Sequence, residues 1–131
     1  MHDGALRRQS SGTPWEAIVG YSRTVNAGPL VFVAGTTGTI DGRVVGPGDA
    51  YAQTVQALRN VEMALAEAGA RLADVVQTRL FVTRIATWQD VGRAHREAFG
   101  EHPPVTAMVE VNRLIDPEML VEVEAVAYLA R

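Results

Sequence analysis

The chain has 131 residues, 47% hydrophobic and 21% charged, with 12 Lys and Arg against 15 Asp and Glu and a net charge of -3. That length is expected to form one domain spanning 1–131 with its own core, and the scattered basic residues leave no nucleic-acid footprint. With no cysteine, disulfides, thiolate metal ligands and a thiol nucleophile are excluded.

No run approaches 18 uninterrupted apolar residues, so no membrane span is expected. Met1-His2-Asp3-Gly4 has no basic region leading into an apolar stretch. A soluble, cytoplasmic protein is therefore expected.

In chain order, Ala5 to Ser10 predicts a short strand, and Ser11-Gly12-Thr13-Pro14 a turn. Trp15 to Gly20 leads into a strand–turn–strand: Tyr21 to Asn26, Ala27-Gly28-Pro29, then Leu30 to Ala34. Gly35-Thr36-Thr37-Gly38 is expected to break the second strand. Asp41-Gly42 and Gly46-Pro47-Gly48 mark turns.

Asp49 reads as an N-cap for a helix over 50–68. Val55, Leu58, Val61, Leu65 and Ala68 form its apolar stripe, and Gly69 its C-terminal stop. Asp74 to Thr83 predicts a strand. Thr87 caps a second helix, Trp88 to Phe99, and His102-Pro103-Pro104 forces an extended connection.

Alternation then predicts two closing strands, 105–112 and 120–129. The pattern implies one sheet with two helices on one face. Val109, Val111, Val121 and Val123 are expected under the helices. Met108, Glu110, Glu122, Glu124, Val126 and Tyr128 are expected on the other face, whose mixed character suits a subunit interface.

Few constellations carry chemistry. His2, His95 and His102 make no paired ligand spacing, so no metal site is expected, though His102 could border a pocket. Ser10, Ser11 and Ser22 lack nucleophile-elbow spacing. Gly35 and Gly38 lack the lysine of a phosphate loop.

Glu122 and Glu124 lie two apart on one strand, hence on one face, and Glu110 could join them from an antiparallel neighbour. Carboxylates in an apolar run can have raised pKa values suited to acid–base work. The alternative is ion pairing at an interface, with Arg79 or Arg113 as partner.

Several segments together resemble the Rid family (RidA, YjgF, YER057c, UK114). These are Gly28-Pro29-Leu30-Val31-Phe32-Val33-Ala34-Gly35; Ala57 to Gly69 followed by Leu72-Ala73-Asp74-Val75-Val76; Phe99-Gly100-Glu101-His102-Pro103-Pro104; Val109-Glu110-Val111-Asn112-Arg113-Leu114; and Val121-Glu122-Val123-Glu124-Ala125-Val126-Ala127. The resemblance spans roughly residues 15 to 130. It implies a chorismate-mutase-like α+β fold, a homotrimer with small-molecule clefts between subunits, and no metal or organic cofactor. It also implies hydrolysis of enamines and imines to 2-oxo acids and ammonia. An arginine would hold the substrate carboxylate, and a last-strand glutamate would position or activate water.

Carried over residue by residue, the resemblance makes Glu122 the catalytic carboxylate. Tyr21, Gly35, Gln77, Gly92 and Thr106 would be the cleft positions. Thr106 stands where the arginine is expected, Gln77 where a lysine is common, and Gly92 where an asparagine is common. Threonine replaces a charged bidentate fork with one hydroxyl. A charge-assisted hydrogen bond contributes about 1.5–3 kcal/mol, so affinity for an imino acid should fall on the order of a hundredfold. Arg79 or Arg113 could substitute.

The expectation is a Rid-type trimer acting on a small C=N or amide-like compound rather than a standard 2-imino acid. The alternative is a non-catalytic trimer that binds a metabolite or a protein. A third reading, the ribonuclease activity of some relatives, is opposed by the acidic chain and the absence of a catalytic histidine pair.

Overall fold

The computed structural model describes residues 6–130. Ala5 and the Met1–Gly4 segment lie outside the described residues. The strands are β1 (Arg7–Gln9), β2 (Thr24–Ala27), β3 (Leu30–Thr37), β4 (Thr39–Ile40), β5 (Arg43–Val44), β6 (Val75–Val82), β7 (Val105–Glu110) and β8 (Val121–Tyr128). The helices are α1 (Pro14–Val19), α2 (Ala50–Glu67) and α3 (Trp88–Phe99). Six strands form the main sheet in the order β1-β2-β3-β8-β6-β7; β4 and β5 form a separate hairpin.

The expected architecture is present: an α+β chain with one main sheet and α2 and α3 on one face. Asp49 caps α2 by accepting from the Ala52 amide at 2.9 Å. Gly69 ends it at a φ of 87°, which only glycine adopts without strain. The core lies between α2, α3 and the sheet. It comprises Leu58, Val61 and Leu65 of α2, Val91 and Phe99 of α3, Leu80 and Val82 of β6, and Val121, Val123, Ala125 and Ala127 of β8. Each large aliphatic group contributes about 1.5–3 kcal/mol by leaving water.

Some expectations fail for local reasons. Trp15 to Gly20 contains a one-and-a-half-turn helix, started by Pro14 and stopped by Gly20 at φ 91°. Gly35 to Thr37 do not break β3. The strand continues, and its register against β8 shifts between Val33 and Thr36. In α2, Val55 is only half-buried, while Gln53, Thr54 and Ala57 face the core.

The last three strands are arranged differently from the expectation. β8 inserts between β3 and β6, antiparallel to both. β7 lies outside β6 and parallel to it, with α3 as the crossover. Its face assignment is therefore reversed. Thr106, Met108 and Glu110 align with Thr78, Leu80 and Val82 on the helix side. Val109 is 46% exposed on the open side, and Val111 follows the strand, bonded to the Val82 carbonyl. An edge strand buries neither face fully, so alternation there reads poorly.

Candidate functional site

Glu122, Glu124, Val126 and Tyr128 alternate with the buried residues of β8 and face away from the helices. Glu122 lies opposite Thr37 of β3 and Phe81 of β6. Beside it, β3 carries an extra residue in the Ala34–Gly35 stretch, a bulge of the kind that re-aims side chains next to sites. The carboxyl group sits directly on Gly35. A Cβ at that position would stand 2.5 Å from Glu122 Oε2 and 2.8 Å from Cδ. Gly35 is thus required by close approach. Burial pushes the Glu122 carboxyl above its ordinary value; Glu124 adds to this and Arg23 opposes it.

Arg23 enters the site from the loop before β2. Its backbone is pinned, with the amide on the Gln9 carbonyl (2.7 Å) and the carbonyl accepting from Ala34 (3.0 Å). Nη1 donates to the Gly35 carbonyl at 2.8 Å and to the Thr36 hydroxyl at 3.1 Å. Nη2 donates to the Tyr21 hydroxyl at 3.3 Å. Nε donates to Glu16 Oε2 at 3.3 Å, forming an ion pair.

Glu16 itself is 4% exposed. It accepts from the Ser10 hydroxyl (2.6 Å), the Ser11 amide (2.9 Å), the Ser11 hydroxyl and the Thr13 hydroxyl (3.0 Å). Burial alone would raise its pKa, but the Ser10, Ser11 and Thr13 hydrogen bonds outweigh it and hold the carboxylate at about 2.

Further along the open face, Gln77, Arg79 and Glu124 line a shallow cleft of about 280 Å³ with Phe32 and Val126. Arg79 pairs with Glu124 at 3.7 Å, and both are largely exposed. Such a pair contributes at most about 1 kcal/mol. Arg113 makes no ion pair among the described residues.

Glu110 does not join Glu122. It is on the helix side of β7, where it accepts from the Ile85 amide at 2.8 Å. Thr106 is also on that side. It accepts from the buried Thr78 hydroxyl at 2.7 Å, and Thr78 lies 2.9 Å from His95 Nε2 of α3. Burial lowers the His95 pKa. Gly92 is one helical turn before His95, and a side chain there would meet open space.

The sequence-derived residues thus fall into two groups within one chain. Glu122, Gly35, Tyr21 and Gln77 belong to the open face, whereas Thr106 and Gly92 belong to the α3–β7 edge. His102 borders a separate cavity of about 410 Å³ with Leu72, Arg96 and Phe99. Among the described residues no cluster of three His, Asp or Glu is placed to hold a metal ion.

Arg23 and Glu16 were not singled out by sequence reasoning. A signal existed: Thr13-Pro14-Trp15-Glu16 has the spacing of a helix-capping box. The carboxylate instead gathers hydroxyls and the arginine.

Comparison with known proteins gives consistent matches. The family model described as Endoribonuclease L-PSP matches residues 12–129. Rv2704 of Mycobacterium tuberculosis, a member of the YjgF/YER057c/UK114 family, is 54% identical, with a TM-score of 0.87 over 95% of this chain and 100% of its own. The protein SCO2049 of Streptomyces coelicolor is 41% identical over 98% of this chain and 96% of its own. The 3-aminoacrylate deaminase RutC of Acinetobacter baylyi is 31% identical over 90% and 93%.

Proposed function

The chain belongs to the Endoribonuclease L-PSP family, with the YjgF/YER057c/UK114 fold, and from that premise we propose that it is a hydrolase acting on a small, uncharged C=N or amide-like compound at Glu122. The observation that carries this reading is the half-buried Glu122 carboxyl seated on Gly35, with its pKa raised by burial. Such a group can take a proton from water and return it to a leaving nitrogen. In the proposed reaction water adds across C=N, the C–N bond breaks, and a carbonyl compound and ammonia leave. The similarity to a 3-aminoacrylate deaminase supports the deamination chemistry. Thr106 argues against the carboxylate-bearing substrates that such chemistry usually handles.

The proposed ligand positions are Tyr21, Gly35 and Gln77 from one subunit, with Gly92 and Thr106 reaching the cleft from a neighbour. Two observations support a homotrimer with inter-subunit clefts. The two groups of residues lie on different sides of one sheet, and Phe32, Tyr128, Val105 and Val109 leave apolar area exposed. No helix of the described residues is long and apolar enough to cross a membrane, and we assign the protein to the cytoplasm without a cofactor or a nucleic-acid partner.

The test is turnover of an imine, enamine and acylamide panel by wild type and Glu122→Gln. Loss of turnover by at least about a hundredfold is expected for the variant. No turnover by wild type, or equal turnover by both, would reject the hydrolase. In that case thermal stabilisation by a compound recovered unchanged would identify a non-catalytic binding trimer, the reading that the uncharged Thr106 also favours. Thr106→Arg is expected to raise activity on 2-imino acids, read as kcat/KM.

A further inference from the structure

Arg23 is buried to the point that its side chain is 12% exposed, and its partners divide its work in two. Four of its five N–H donors are engaged: Nε on Glu16, both on Nη1 on Gly35 and Thr36, and one on Nη2 on Tyr21. The first task is geometric. Nη1 fixes the carbonyl of Gly35 and the hydroxyl of Thr36, so it holds the bulge on which Glu122 rests. Nη2 occupies the oxygen of Tyr21, which leaves the phenol hydrogen free to donate to a ligand.

The second task concerns charge. Arg23 is the cation that bears on Glu122, yet its charge is matched at 3.3 Å by a carboxylate that stays ionised at any ordinary pH. Among the described residues, Glu124 on the same strand also bears on Glu122, and it is paired with Arg79 of β6. Phe81 and Thr37, the register neighbours of Glu122, are uncharged. The site therefore offers hydrogen-bond donors without surplus positive charge.

We propose that Glu16 is a specificity-determining positioning residue: by holding and neutralising Arg23, it makes the Glu122 site accept a neutral carbonyl or imine and turn away a carboxylate. This rests on Glu122 marking the ligand site. It accounts for the missing charge at Thr106 from the opposite wall. An arginine is present near the glutamate, but its charge is committed inward. A substrate held this way would present its C=N or C=O to the Tyr21 hydroxyl and to the remaining Nη2 hydrogen.

The first measurement uses the free, isotope-labelled protein and follows the Glu122 carboxyl by NMR titration. Glu16→Gln leaves Arg23 uncompensated and is expected to lower the Glu122 midpoint by roughly half a unit or more. Arg23→Gln is expected to raise it, and Arg23→Lys, which keeps the charge over the buried carboxylate, to leave it nearly unchanged. A purely structural role would not move Glu122 in opposite directions. Shifts of the same sign in the two Gln variants, or no shift in Glu16→Gln, overturn the proposal. Should Arg23→Gln not fold, a shifted midpoint in Arg23→Lys overturns it equally.

The second measurement compares propionate with propionamide, an isosteric charged and neutral pair, by chemical-shift titration. Glu16→Gln is expected to raise the propionate-to-propionamide affinity ratio at least about threefold, the factor equivalent to half a pKa unit. An unchanged or lower ratio overturns the proposal. Neither measurement requires turnover, so a failed substrate panel would reject the hydrolase and leave this inference standing.

Discussion

Replacing Gly35 by alanine separates the site from the fold. The new Cβ would stand 2.5 Å from Glu122 Oε2, whereas ordinary contact begins at 3.4 Å, so the carboxyl must retreat by about 1 Å. That retreat needs only side-chain torsions. An off-rotamer carboxylate costs about 0.5–1.5 kcal/mol, and alanine returns about 0.4–1 kcal/mol by restricting the unfolded chain. The net change stays within about 1 kcal/mol, or about 4 °C in Tm for a chain of this size. A misplacement of about 1 Å at a reacting group costs roughly a hundredfold in rate. Gly38→Ala is the control. There the Cβ would stand 2.5 Å from the Gln53 carbonyl oxygen and 2.9 Å from its Cα, so the backbone of α2 must move. That substitution should cost about 2 kcal/mol or more and about 7 °C. Thermal unfolding by circular dichroism and turnover on the substrate panel read both effects. A Gly35→Ala variant that melts as early as Gly38→Ala, or that keeps wild-type turnover dependent on Glu122, would refute this separation of site from fold.

Glu122→Gln should raise Tm at pH 8, with the gain vanishing below pH 4.5. A carboxyl whose folded pKa lies above its ordinary 4.5 holds its stability below that pH and loses it as pH rises through the folded value; an unchanged Tm at pH 8 contradicts this. Glu16 works in the reverse sense. Its folded value of about 2 against 4.5 stabilises the protein above pH 4.5 by roughly 3 kcal/mol, lost as pH falls toward 2. In urea unfolding, Glu16→Gln should therefore be less stable than wild type at pH 7, and the difference should shrink at pH 3. Gln53→Ala should cost about 2–4 kcal/mol in the same assay, because the Gly46 and Glu118 carbonyls and the Leu120 amide all lose a buried partner. A cost under about 1 kcal/mol would mean water replaces the amide. Thr78→Val should cost about 1–3 kcal/mol by leaving His95 Nε2 and the Thr106 hydroxyl without their shared partner, and a neutral outcome would show that they bond each other.

The elements with strong local signals were legible. Asp49 and Gly69 bracket α2, and strict alternation from Val121 to Tyr128 assigned both faces of β8 correctly. A central strand has one fully buried face, so its pattern is unambiguous. β7 lacked that contrast. As an edge strand beside β6 it exposes both sides in part, and its valines pointed outward while Met108 packed inward. Alternation also fails across a bulge, and β3 and β6 each have one. The extra residue between Val33 and Thr36 changes the phase, so Val31, Val33 and Thr36 all face the helices. The glycines flanking Thr36-Thr37 read as a strand break, whereas Gly35 sits in the bulge and β3 runs on to Thr37.

The bulge also explains why the site was only half legible. Glu122 and Gly35 enter through the motifs that carry the family resemblance, although Gly35 lies where the β3 register shifts. Arg23 and Glu16 are only seven residues apart, but they join the site through the contacts of Arg23 with Gly35 and Thr36 of β3. The Ser10–Thr13 turn supplies hydroxyls, α1 presents the carboxylate, and the chain before β2 brings the arginine beneath the bulge. No spacing rule relates residue 16 to residue 35. Alternation places Arg79 on the Gln77 face, which makes it, with Arg113, a candidate substitute cation. Arg79 is paired at the exposed rim with Glu124, where solvent screens it. Arg23 is shielded from solvent, so its influence on Glu122 is screened far less. Burial outweighs Arg23 at Glu122, whose carboxyl stays above its ordinary value although Arg23 pulls it down, and the Arg23 charge is paired on its inner side. Glu16, buried and held at about 2 by its hydroxyls, is the group that pairs with it. Glu122 is raised by burial and Glu16 is lowered by its hydroxyls, and Arg23, paired with the one and bearing on the other, is the group through which a change at Glu16 should be measurable at Glu122.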